Sequence, residues 1–526
     1  MRVLFVTGRL AEAAVRWHVR QTKTDYSVVA LPVDVASLLT PEAIARFLVT
    51  IDLEDYDMIM IPGLVRGDAG IIEEAVGVPA FKGPRYSAEI PIVLSLIDKI
   101  ILSKTAPADA ILRKVFAQQV NHNLATAEDP RFLEHPGNFL IGSAAVGRDY
   151  PTRVVAEILD APTLSDQQLL QRAKYYVHSG AKIIDIGMMA GSPQPEDASR
   201  AVKAVKNSGL APAVAIDTSS TEEAAAALDS GADLILSLDA STMVEAASFA
   251  TDVAVVIIPA EGRGGISPKE PRARLAALAA NVSKAQGLGY KKIVADPIVD
   301  PLIAPGLGAS IASYGLFADQ YPDVPLLFGA GNVTELLDAD SVGANALLAG
   351  LAAEAHVGLL LTTEGSDKTR GAVHELATAC DMMFLAKKRS SVPKDLGIDL
   401  LVLKEKRRVE EPYEAATVDQ EKRTIIEAEH SIVGLTDPAG SYRIVLDRSR
   451  EEILAIRYLR ADQRDTIKGG DAASVYMSIT RKGLVSQLDH AAYLGSELAK
   501  AEIALRTGRS YVQDRPIFQE EGRDEN

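Results

Sequence analysis

Between about Arg153 and Arg389 short apolar runs alternate with amphipathic stretches, and this alternation is the most regular pattern in the chain. Eight runs recur: RVVAEILD, KIIDIG, AVAIDT, ADLILSLD, VAVVIIP, KIVADP, PLLFGAGN and CDMMFLAKK. Most end in a polar residue, and they are continuous rather than alternating, as expected of parallel strands buried on both faces. Between them SDQQLLQRAKYYVHSG, EDASRAVKAVKNSG and TEEAAAALDSG carry helical spacing and close on a glycine, the residue that helix C-caps favour. Strand and helix alternating in this way predict a closed (β/α)8 barrel. A doubly wound open sheet is the competing arrangement.

Two flanking regions read differently. In residues 1–136 the runs RVLFVTG, YSVVALPV and YDMIMIPG, followed by a longer helix through IPIVLSLIDKIIL, predict a small open α/β, Rossmann-like domain. Thr7, Gly8 and Arg9 follow its first strand, where a phosphate loop could sit. Neither GxGxxG nor GxxxxGK[ST] occurs there, so an ordinary tight turn is the stronger reading. The barrel occupies residues 137–406. From 407 to 526 a charged linker-like stretch (KEKRRVEEPYEAATVDQEKR) leads into a small α+β domain, with a hairpin in GSYRIVLDRSREEILAIRYL, a helix in LDHAAYLGSELAKAEIALRTG and a frayed end, EEGRDEN.

Charge narrows the partners. The net charge of −16 over 526 residues argues against general nucleic-acid binding, since nothing would offset phosphate repulsion. One cysteine, Cys380, rules out an internal disulfide framework and lies in an apolar stretch that suits a buried structural role. The most lipid-like segment, Ala344 to Thr363, contains Glu354 and His356 and fits a buried helix better than a membrane span. MRVLFVTG reads as a strand, not a signal peptide, and a cytoplasmic protein is expected.

In such a barrel the site forms at the carboxyl ends of the strands. Those ends are acidic: Glu157 and Asp160, Asp185, Asp217, Asp239 and Asp296, with Asn332 after strand 7. A single strand-end acid could cap the next helix. Six at one mouth would repel each other unless protons, a metal or a donor-rich ligand lay among them. No histidine ends a strand, so no dedicated transition-metal site is expected, while an oxygen-only Mg²⁺ site stays open. A flat heterocycle with adjacent N–H donors suits carboxylates well, because two parallel bonds to one carboxylate are strong and directional. An Asn amide matches a neighbouring donor–acceptor edge.

The runs RVVAEILDAPTLSD, GAKIIDIG, AIDTS, ADLILS, ADP and FGAGNV, in this order and spacing, resemble the pterin-binding barrel superfamily, which includes dihydropteroate synthase and the methyltetrahydrofolate:corrinoid methyltransferases. With its α/β front and DHAAYLGSELAKAE tail the chain resembles the archaeal-type dihydropteroate synthase-related proteins of organisms that use tetrahydromethanopterin. The resemblance implies that Asp185 and Asp296 hold the pterin ring, that Asn332 contacts it near N5, and that Asp160 and Glu157 occupy the strand-1 positions of the two families. If the strand-end carboxylates work on chemistry, Asp160 or Asp296 could assist proton transfer near N5 and are the catalytic candidates, with Glu157, Asp185, Asp217, Ser237, Asp239, Asn332 and Lys387 as substrate-binding ones. The ligand would be a reduced pterin (tetrahydromethanopterin or a precursor), the activity a transfer in its synthesis or in one-carbon metabolism, and the assembly a homodimer. Departures point away from the classical synthase reaction. Gly331, Asn332 and Val333 stand where the synthases have S-R-K, Leu236 and Ser237 stand where strand 4 has an Asn, and MMFLAKK lacks the strand-8 R-x-H pair. Lys387, Lys388 and Arg389 could replace the lost anion contact; a solvated basic turn is the equal alternative reading of these residues. No DxHxxG motif occurs, so a corrinoid would come on a partner protein or not be used. His490 and Tyr493 of the tail helix are further polar candidates, better explained by a helix face docked on the barrel. A pterin carrier without turnover, or a barrel enzyme acting on a sugar phosphate, are the alternative functions.

Overall fold

A computed structural model of the protein describes residues 1–262, 265–394, 396–406, 437–460 and 463–518. The chain divides into two compact units, Met1–Ala415 and Ala416–Asn526. In the first, β1 (Arg2–Gly8), β2 (Asp25–Leu31), β3 (Met58–Ile61) and β4 (Ala80–Lys82) form a parallel sheet in the order β2-β1-β3-β4. Apolar side chains fill both of its faces, as the continuous runs predict: Leu4, Val6 and Ile59 on one, Val3, Phe5 and Met60 on the other. Gly8 is required where β1 ends, because a Cβ there would lie 2.8 Å from the backbone N of Ala36. The helix expected through IPIVLSLIDKIIL spans only Ile90–Ser95; the Ser95 hydroxyl donates back to Ile92 O, and the chain leaves helical geometry at Leu96. The long helix of this region is Ala108–Ala125.

A short hairpin, β5 (Phe139–Ile141) and β6 (Ala144–Val146), precedes the barrel. The barrel strands are β7 (Arg153–Ile158), β8 (Ile183–Gly187), β9 (Ala213–Asp217), β10 (Leu234–Leu238), β11 (Ala254–Ile257), β12 (Lys292–Ala295), β13 (Leu326–Gly329) and β14 (Val357–Thr362). All pair in parallel and close on one another, so the chain folds into a (β/α)8 barrel. Alternation along each strand divides its residues between two cores. Ile184 and Ile186 face the helices, whereas Ile183 faces inward with Val155, Ala213, Leu234, Val294 and Leu359. Ile141 and Val146 of the hairpin join that inner core and close the amino-terminal end of the barrel with apolar surface.

Strand 8 is a correction. The expected run CDMMFLAKK is part of the helix Ala372–Lys388, and β14 is instead VGLLLT. The Ala344–Thr363 segment, expected as one helix, holds the end of the helix Ser341–Glu354 and then β14, with His356 at φ 54° in the sharp turn between them. Cys380 is buried in the outer core, and no helix among the described residues is long and apolar enough to cross a membrane.

The second unit contains the expected hairpin, β15 (Ser441–Asp447) with β16 (Glu452–Arg460), and a third antiparallel strand, β17 (Gln463–Gly469). Helices Ala472–Arg481 and Leu488–Thr507 pack Val475, Ile479, Leu494 and Leu498 against Ile444, Ile453 and Ala455. The expected linker, from Arg407 on, and the EEGRDEN end lie outside the described residues.

Candidate functional site at the carboxyl mouth

The inward alternation that buries Val155, Ile183 and Ala215 continues one step toward the carboxyl ends and there brings in Glu157, Asp185 and Asp217. Glu157 and Asp185 are register partners on β7 and β8, and Asp217 of β9 pairs with Gly187. Gly187 keeps the space open, since a Cβ on it would lie 2.6 Å from Glu157 Oε1. As a result three carboxylates each place an oxygen within 4.8 Å of the others. Two ionised carboxylates at that separation repel by about 3 kcal/mol at an effective dielectric near 20.

The cluster answers this repulsion by holding protons. Burial, then the charges of Asp217 and Asp160, push Glu157 up to about 7. Burial raises Asp217 to about 6, and it raises Asp185, which also faces both other acids, well above the usual carboxylate range. Asp185 is fully buried, and among the described residues neither of its carboxylate oxygens has a hydrogen-bond partner. Leaving a buried polar atom unpaired costs about 1–3 kcal/mol, so this carboxylate is poised for a donor the protein itself does not supply.

Asp296 lies across the mouth, just beyond β12. Its Oδ1 accepts from the Tyr314 hydroxyl at 2.6 Å and from Ile298 N at 2.7 Å. Burial raises it to about 6, against the lowering effect of those bonds and of Arg274. Arg274, itself buried, donates to Ile298 O and pairs with Asp300 at 2.7 Å, pinning the loop that carries Asp296. Ile298 sits at φ 68°, a strained conformation for a β-branched residue that this bonding over-determines. Asn332, exposed on the short helix Gly331–Thr334, donates to Val299 O at 3.0 Å and so belongs to the same rim.

The remaining candidates separate from this group. Asp160 is exposed at φ 49° on the rim, near enough for its charge to act on Glu157. Ser237 occupies an irregularity in β10, at φ 70°. Asp239 is turned into its own loop: Oδ1 accepts from Ser241 N, Ser241 Oγ and Thr242 N, and these bonds outweigh burial and hold it below its ordinary value. It is a cap, the structural role that any strand-end acid could have. Lys387 is at the opposite end of the barrel, beside His356 at the start of β14. In the second unit His490 Nδ1 lies 2.8 Å from Asp437 and the Tyr493 hydroxyl donates to Asp514, both within that unit's own fold.

Tyr314 and Arg274 were not singled out from the sequence. Tyr314 is one apolar-looking position in a helix, without a signal of its own. Arg274 had one: a cation in the first turn of the helix Pro271–Gly287 sits against the helix dipole and wants a partner elsewhere.

Residues 159–305 match the family described as "Pterin binding enzyme", and residues 1–85 match a family of unknown function (DUF6513). Residues 436–514 match a family described as PterinBD-DUF4346. Along 98% of its length the chain is 37% identical to the uncharacterized protein MJ0107 of Methanocaldococcus jannaschii, covering 99% of that protein. The chain belongs to the family of that methanogen protein. Solved structures similar to the chain include dihydropteroate synthase of Yersinia pestis, 16% identical over 48% of this chain and 99% of that one with a TM-score of 0.39. The Thermus thermophilus synthase is 22% identical over 46% of this chain and 97% of its own, with a TM-score of 0.36.

Proposed function

We propose that the carboxyl mouth binds a reduced pterin edge-on and that the protein acts as a transferase on it, in the synthesis of tetrahydromethanopterin or in one-carbon transfer on that carrier. The single observation that supports this best is Asp185, a fully buried carboxylate with two unpartnered oxygens. A 2-amino and N3–H edge offers two parallel donors to such a group, and pairing would draw the carboxylate into its ionised form. Glu157 and Asp217 then carry the displaced protons. Asp296 is the better placed of the two expected proton-transfer residues, because burial brings it near neutrality while Tyr314 fixes its orientation. Asn332 covers the rim beside it, and Asp160 stays in contact with water.

A second reading is an oxygen-only Mg²⁺ site on the Glu157, Asp185 and Asp217 oxygens, favoured by their convergence within 4.8 Å. Calorimetric titration with a reduced pterin, with tetrahydromethanopterin and with Mg²⁺ separates the two. Pterin binding at about micromolar strength or better, lost in Asp185→Asn, is the expected result. Mg²⁺ binding in the absence of any pterin binding would overturn the pterin proposal in favour of the metal. Incubation of the bound pterin with one-carbon donors or arylamines, followed by product analysis, distinguishes an enzyme from a carrier.

A further inference from the structure

The basic turn at Lys387 and Lys388, expected beside the mouth, builds a different place. At the amino-terminal end of the barrel a cavity of about 310 Å³ opens between the loop after β6, the start of β14 and the last turns of the helix Ala372–Lys388. Phe132, Tyr150 and Phe384 line it with aromatic surface, and Cys380 lies among them. Arg148, Lys387 and Lys388 supply cationic groups to the same cavity. Among the described residues none of these three forms a salt bridge, in a protein whose net charge is −16.

Their existing bonds are weak substitutes for a counter-ion. Lys387 Nζ reaches Ala353 O at 3.2 Å and His356 Nδ1 at 3.1 Å, and Lys388 Nζ donates to Thr126 Oγ1 at 2.8 Å. The lysine therefore bonds an imidazole nitrogen that must stay unprotonated to accept. Burial, then the positive charges of Lys387 and Arg148, lower His356, and burial together with Arg148 lowers Lys387. One carboxylate, Asp149, also lines the cavity, but it already accepts from Asn138 at 2.7 Å and faces His135 at 3.1 Å. His356 is held at φ 54°, a strained geometry that places its ring in this cluster.

An aromatic floor under convergent, unpaired cations matches one ligand chemistry. We propose that this cavity binds a small organic anion, an apolar body carrying a phosphate or carboxylate, with the body on Phe132, Tyr150 and Phe384 and the anionic group facing Arg148, Lys387 and Lys388. Charge-assisted bonds from Arg and Lys are the strong ones, and the apolar floor excludes the water that would weaken them. The site is independent of the pterin reading, because it lies at the other end of the barrel and shares no residue with the mouth.

Phenyl phosphate and inorganic phosphate are the probes, titrated calorimetrically into the full chain. Phenyl phosphate should saturate, with affinity at least about tenfold above that of inorganic phosphate, and should lose about tenfold or more in the Arg148→Gln/Lys387→Gln double variant. Lys291→Gln, which removes an exposed charge paired with Asp252, should leave it unchanged. Absence of saturation at millimolar phenyl phosphate, or unaltered affinity in the double variant, would overturn the proposal. Inorganic phosphate binding as tightly as phenyl phosphate would overturn the role given to the aromatic floor.

Discussion

The two ends of the barrel solve the same electrostatic problem in opposite ways. At the carboxyl mouth Glu157, Asp185 and Asp217 stand on short side chains fixed to adjacent strands, so they cannot move apart and instead hold protons. At the amino-terminal end Arg148, Lys387 and Lys388 reach in on long side chains from a loop and a helix end, and all three are exposed residues. A rigid, dehydrated cluster couples to pH, whereas a flexible, hydrated one couples to salt. The comparison therefore makes different predictions for each end, and each can be broken separately.

The largest effect is expected from removing the buried charge. Asp185→Asn replaces an acceptor pair by an amide that presents a donor to the pterin edge. Truncating one side of a buried charged hydrogen bond costs about 2–5 kcal/mol, so pterin affinity should fall by roughly 30-fold or more. Lys387→Gln, at the other end, should leave pterin affinity within about twofold, as expected for sites without shared partners. Titration of the two variants side by side tests this; an equal loss in both would mean that the ends are coupled and the contrast is false.

Next comes pH. Glu157, Asp217 and Asp296 have folded-state values raised to about 7, 6 and 6, so the native protein binds more protons than the unfolded chain in this range. Their stabilising contribution is complete below the ordinary carboxylate range and is lost as pH rises through those values. The ligand-free protein should thus melt several degrees lower at about pH 8 than at about pH 5, and Glu157→Gln should recover part of that fall. Scanning calorimetry at both pH values decides it. A variant with the same pH dependence as the parent would show that the mouth acids are not crowded in solution.

Salt should act on the other end. Raising ionic strength from about 0.05 to 0.5 M shortens the screening length to a few ångströms, and phenyl phosphate affinity should fall several-fold. Pterin affinity, set by bonds inside a desolvated mouth, should change by less than about twofold. Titration in both salts reads the difference; salt-independent phenyl phosphate binding would remove the cationic groups from the account.

Why one end was legible in the sequence and the other was not follows from how each is built. The mouth acids lie at fixed places in strands that read clearly, because Val155, Ile183 and Ala213 fix the inward parity and Glu157, Asp185 and Asp217 inherit it. Strand 8 did not read clearly. The helix Ser341–Glu354 and β14 fuse into one apolar stretch whose nearest glycine, Gly358, lies inside the strand and not in the turn, and the turn rests on His356 in a conformation its residue type does not advertise. The helix that follows, with Met382, Met383 and Phe384 in succession, then passes for a strand. With that helix in place of a strand, Lys387 lies at the amino-terminal end of the barrel, since a helix after strand 8 runs back toward the amino-terminal face. Tyr314 and Arg274 were hidden for a different reason: their partners, Asp296 at 18 and Asp300 at 26 residues' distance, meet them only through tertiary packing.

Asp239 gives the smallest expected effect and the sharpest control. Like Asp185 it is an acid at a strand end of the same barrel and a substrate-binding candidate by sequence, though the resemblance singles out only Asp185 of the two. In the structure its Oδ1 takes three bonds from Ser241 and Thr242, and nothing remains to offer a ligand on that oxygen. Asp239→Ala should therefore cost about 1 kcal/mol of stability, the usual worth of a cap, and leave pterin affinity unchanged. Denaturant unfolding and pterin titration of the one variant test both halves. Loss of pterin binding with little loss of stability would place Asp239 in the mouth after all, and the division between acids that hold the ligand and acids that hold the loop would have to be redrawn.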